Sequence, residues 1–73
     1  MTCATQLSNT LKERYDRAAE GDAVLVIHLF GIEFATELEG VNLQELAETA
    51  TGHRSYGTEI RKGVRISEYV TLK

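Results

Sequence analysis

The chain has no proline and only one cysteine, Cys3, among its 73 residues. A lone cysteine excludes an intrachain disulfide and fits a reducing compartment. Cys3 reads as an ordinary small residue rather than a reactive thiol. Cys3, His28 and His53 show no metal-ligand spacing, so neither a metal cage nor any other cofactor is expected. There is no low-complexity tract and no repeat at solenoid periods, which leaves a single domain over residues 1–73.

Long apolar runs are also missing. The most apolar stretch, Val24 to Ala35, is interrupted by His28, Gly31 and Glu33. A bilayer span needs ~20 apolar residues, so this stretch reads as buried core. The polar start MTCATQLSNT lacks the basic-then-apolar order of a signal peptide. The expectation is a cytoplasmic protein with no membrane association.

Positive charge is scarce: eight basic residues face eleven acidic ones, a net −3. The deficit is uneven. Residues 1–50 hold Lys12, Arg14 and Arg17 against nine acidic groups, whereas residues 51–73 hold Arg54, Arg61, Lys62, Arg65 and Lys73 against Glu59 and Glu68. A basic end on an acidic body is compatible with a phosphate-facing surface, and equally with ordinary solvated side chains.

With proline absent, glycine punctuates. Gly21, Gly40, Gly52 and Gly63 each follow a stretch with helical character. Four helices are predicted between these stops. The first spans about Thr5 to Glu20, with Leu7, Leu11, Tyr15 and Ala18 or Ala19 as its apolar stripe. The second runs from Asp22, a candidate cap, to about Glu39. The third follows Asn42, which with Glu45 has capping-box spacing. The fourth opens near Ser55 and stops before Gly63. The β-branched run AVLVIHLF leaves an α+β alternative, a short strand pair from 24–30 and 65–72. The length of the second segment and the spacing of Phe30, Phe34 and Leu38 favour an all-α bundle. Leu11, Ile27, Phe30, Phe34, Leu38, Leu46, Ala47 and Ile60 are the expected core.

No catalytic constellation stands out, and the chain is not expected to be an enzyme. Glu33 and Glu37 lie at i,i+4 without a histidine ligand motif and read as one solvated face. His28 reads as a hydrogen-bonded core or boundary histidine. His53 reads first as a capping residue, with reach to a phosphate as its alternative.

The segment NLQELAETATGHRSYGTEIRKG, Asn42 to Gly63, has the elements of a helix-turn-helix. Leu43, Leu46, Ala47 and Ala50 form the stripe of a first helix. Thr51-Gly52-His53 is the turn, and a basic second helix covers 54–62. Small residues on the first helix permit a close crossing, and Ile60 anchors the second. In Ala47, Ala50, Ser55, Ile60, Gly63 and the length from Ala47 to Ile60, the segment resembles Cro/repressor-type helix-turn-helix proteins. The whole chain resembles a group of short bacterial proteins with an HTH-like domain, through IHLFGIEFATEL (Ile27 to Leu38) and YGTEIRKG (Tyr56 to Gly63). Two positions depart from the Cro-type pattern. Thr51 stands where the turn glycine is usual, and Gly57 where an aliphatic core residue is usual. Gly57 suggests a close approach of the backbone there to another helix or to a ligand.

The resemblance implies a small DNA-binding transcriptional regulator with 54–62 as recognition helix. Arg54, Arg61, Lys62 and Arg65 would meet phosphates or guanine edges, and Ser55, Tyr56 and Thr58 would sit at the mouth of the groove. So small a module implies a homodimer or larger assembly, through the apolar second helix or the tail around Tyr69, Val70 and Leu72. The alternative is a protein-interaction module with the same fold and no DNA activity.

Overall fold

A computed structural model of the chain describes residues 3–70. It contains α1 (Ala4–Arg17), α2 (Ala23–Glu33), α3 (Leu43–Thr51) and α4 (Tyr56–Ile66), and no strand among the described residues. Residues 24–30 lie within α2, so the strand-pair alternative does not hold there. Leu72, the far end of that alternative, lies outside the described residues.

The helices end where local chemistry stops them. Gly21, Gly40 and Gly52 adopt φ of +91°, +79° and +80°, the left-handed region in which a Cβ is strained. Gly52 caps α3 by donating its N–H to the Glu48 carbonyl at 2.9 Å. At the other end of α3, the Asn42 side chain accepts the Glu45 N–H at 3.1 Å. Asp22 occupies the N-cap position of α2, but its side chain makes no capping bond.

Two boundaries differ from expectation. α1 stops at Arg17, three residues early, because Ala18 is extended at φ −63°, ψ 137°. α2 stops at Glu33 rather than Glu39. The apolar period nevertheless continues through turns from 34 to 40, where Phe34 and Leu38 still donate to carbonyls four residues back. Leu38 therefore reaches the core although it lies outside a helix. Spacing alone cannot separate a continued helix from such loosely wound turns.

The core comprises Leu7, Leu11, Ile27, Phe30, Leu38, Leu46, Ala47, Ala50 and Ile60. Phe34, expected inside, is half-buried at the edge. There its ring meets Phe30 at 4.9 Å, and the Arg14 guanidinium lies 5.2 Å from its centre. The two largest departures concern Gly31 and Gly63. Gly63 does not end α4, which runs on to Ile66. Both glycines are buried at the crossing of α2 and α4. A Cβ on Gly31 would lie 2.5 Å from the Ile60 carbonyl oxygen, and one on Gly63 would strike the His28 carbonyl. The two backbones are in contact, so neither position admits a side chain. Gly57 plays the same part between α3 and α4, where a Cβ would lie 2.7 Å from Gln44 Cα. The close approach expected from the sequence is with α3.

Candidate nucleic-acid interface

α3 and α4 are joined by four residues, Gly52 to Ser55, which set the two axes of the candidate motif. The turn is held from within. Thr51 Oγ1 donates to the Ala47 carbonyl at 2.7 Å and accepts the His53 N–H at 3.1 Å. Thr51 thereby stiffens a turn whose conformational freedom comes from Gly52. The His53 backbone is thus part of this turn, and its ring stands edge-on to Tyr56 at 5.4 Å.

α4 buries Gly57, Ile60 and Gly63. Its outward face carries Thr58, Arg61, Lys62 and Arg65, all exposed and spaced i, i+3, i+4, i+7 along one stripe. Lys62 Nζ lies 3.4 Å from Glu59. Arg61 and Arg65 have no carboxylate within ion-pair distance among the described residues. Arg65 also lies in the last turn of the helix, where a cation complements the helix dipole.

The other three expected contact residues stand apart from this stripe. Arg54 and Ser55 are exposed in the turn, and the Arg54 guanidinium lies 3.6 Å from Glu48 of α3. Tyr56 does not stand open at the mouth of a groove. It is half-buried against the core, with its ring 5.8 Å from that of Tyr15. Tyr56, Ile60 and Gly63 share the inward stripe of α4, which the spacing i, i+4, i+7 requires.

His28 is the hydrogen-bonded boundary histidine expected, but sequence reasoning missed its partner in the polar latch behind the stripe. His28 Nε2–H on α2 donates to Glu59 Oε1 at 2.7 Å, and both side chains are about three-quarters covered. This bond, helped by Lys62, holds the Glu59 carboxyl below the ordinary glutamate range against the opposing effect of burial. A second latch joins α1 to α2: Arg14 donates both Nη groups to the Glu33 carboxylate at 3.0 and 2.8 Å. The hydrogen bonds from Arg14 likewise lower Glu33. Neither pair leaves a periodic trace, because the partners lie 31 and 19 residues apart.

Both carboxyls are depressed on folding, so their stabilisation is present above the unfolded glutamate value of about 4.3 and is lost as pH falls through the folded values. Urea stability should therefore fall on acidification below about pH 4.3. Glu33→Gln should flatten part of that fall and cost ~1 kcal/mol or less at pH 7, since the Arg14–Glu33 pair is partly solvated. An unchanged acid limb in the variant would show that the pair does not contribute.

Among the described residues no cluster of three His, Cys, Asp or Glu side chains could hold a metal, and no helix is long and apolar enough to cross a membrane. An open groove of about 500 Å³ lies between the starts of α1 and α3, lined in part by Thr5, Ser8, Asn9, Asn42 and Thr49. None of the exposed residues on the α4 stripe borders it.

No curated protein and no solved structure matches the chain. A family model does match, over residues 4–73, and its extent takes in all four helices together with the α3–α4 pair and its cationic stripe. The chain belongs to the family described as the HTH-like domain.

Proposed function

We propose that the protein is a small, non-catalytic, cytoplasmic transcriptional regulator that binds duplex DNA, with α4 as its recognition helix in the Cro/repressor manner. The observation that carries this reading is the outward stripe Thr58, Arg61, Lys62 and Arg65, in which Arg61 and Arg65 are unengaged by any described carboxylate. An α-helix fits the major groove, ~12 Å wide, and cations on its outer face neutralise phosphate. Arg54 and Ser55 flank the stripe from the turn. Tyr56 supports it from behind through Tyr15 and His53 and is assigned no direct contact.

The test is the salt dependence of binding to mixed-sequence duplex. Each neutralised phosphate contributes ~0.9 to the slope of log affinity against log salt, so Arg61→Ala with Lys62→Ala should lower the slope by up to ~2. Both side chains are exposed, and the variant should keep its helicity and urea midpoint. No retardation and no amide shifts from wild type at low salt and high protein concentration would rule the DNA reading out.

A second reading, a protein-interaction module, is favoured by the outer face of α3. In DNA-binding helix-turn-helix proteins the first helix crosses the phosphate backbone. Here α3 exposes Glu45 and Glu48, and Glu48 faces Arg54. Partner binding through apolar contact would be nearly insensitive to salt, in contrast to DNA binding.

A further inference from the structure

α2 is apolar around nearly its whole circumference. Between Ala23 and Ile32 the only side chain able to carry charge is His28, which is turned to Glu59 on α4. A helix of this kind normally lies inside a protein. Yet Leu25 is 53% exposed and Leu29 39%. Among the described residues, the remaining large exposed apolar side chains are Val24, also on α2, and Ile66, Tyr69 and Val70 at the end of α4 and just beyond it. α1 and α3 contribute none among the described residues. The apolar exposure therefore lies on α2 and at, and just beyond, the end of α4, the two helices that meet at Gly31 and Gly63.

We propose that a second copy of this chain covers this surface, with Leu25 and Leu29 of α2 at its centre. The inference goes beyond nucleic-acid binding and does not depend on it. Charge points to the occupant. An acidic or basic partner finds no counter-charge on the exposed face of α2, so the partner surface must itself be apolar. This chain presents such a surface, and an isologous two-fold contact sets it against itself. Area agrees. The exposed fractions of the six side chains amount to about three whole side chains, roughly 400 Å² at ~100–200 Å² each. A standard interface takes ~800 Å² from each partner, and in homodimers about 65% of it is apolar, or roughly 500 Å². A chain of this size, with no disulfide, is also one for which self-association supplements a small core.

Sedimentation equilibrium on the whole chain without nucleic acid, from micromolar to millimolar, tests this. Wild type should pass from monomer to dimer. Leu25→Glu with Leu29→Glu should raise the dissociation constant ~30-fold or more. Thr49→Glu on exposed α3 should leave it unchanged. A wild type that stays monomeric at millimolar concentration overturns the proposal. So does a dimer indifferent to the α2 double variant, since another face would then hold the copies. If the double variant loses helicity, concentration-dependent amide shifts of wild type decide: shifts centred on residues 24, 25 and 29 uphold the interface, and shifts confined elsewhere overturn it.

Discussion

Ile60→Ala is expected to cost roughly 2–5 kcal/mol, the largest loss among single truncations on α4. Ile60 is fully buried, and the other buried residues of that helix, Gly57 and Gly63, are glycines. Of its neighbours on that side, Gly57 and Gly63 have no side chain to shift into a vacated space, which leaves only the partly buried Tyr56 and Val64 to do so. The cavity would therefore collapse poorly, which places the cost toward the upper part of the range. A chain of this length holds only ~4–11 kcal/mol in total, at ~0.05–0.15 kcal/mol per residue. The variant should lose a large share of its stability and populate unfolded chain at modest urea. The check is a urea titration at constant m-value, with Arg61→Ala as an exposed reference expected within ~0.5 kcal/mol of wild type. A loss below ~1 kcal/mol for Ile60→Ala would contradict its place in the core, and the outward stripe would then lose its register.

Gly63→Ala should destabilise by ~1–3 kcal/mol or more, although the same change inside a helix ordinarily stabilises by about 1 kcal/mol. The sign is decided by what the new methyl meets. It would run into the His28 carbonyl and lie 3.0 Å from Gly31 Cα, both backbone atoms that no rotamer change can move. α2 and α4 would have to separate. Gly31→Ala should act similarly through the Ile60 carbonyl. Because either methyl forces the same separation, the double variant should cost less than the sum of the two singles. The Glu59–His28 bond spans this crossing, so the Gly63 variant should also show altered His28 ring resonances. A Gly63→Ala protein more stable than wild type would show that the helices do not cross as closely as described.

The two predictions bear on the candidate interface as well as on the core. The outward direction of Thr58, Arg61, Lys62 and Arg65 follows from the inward direction of Gly57, Ile60 and Gly63, since both stripes belong to one helix. Repacking that rotated α4 would move the cations with it.

Much of this was legible in the chain because it is local. The alanines of α3, the Gly52 cap, the Asn42 cap and the anchor Ile60 declare themselves within a few residues, through periodicity and backbone preference. The sites of the exposed cations were legible too, as a charge split between the two ends of the chain. Tertiary structure decided the rest. Gly63 reads as a helix stop from its flanks, and only the presence of Gly31 across the crossing turns it into a packing position. Tyr56 reads as a residue at the mouth of the groove, and only the fold shows it resting on Tyr15. The His28–Glu59 and Arg14–Glu33 latches join residues 31 and 19 apart. Helical period and capping act over one or two turns, so they specify where each helix starts, ends and turns its apolar face. Which faces then meet, and which apolar face of α2 is left open to solvent, is set by the packing of all four helices together, and no short stretch of the chain encodes it.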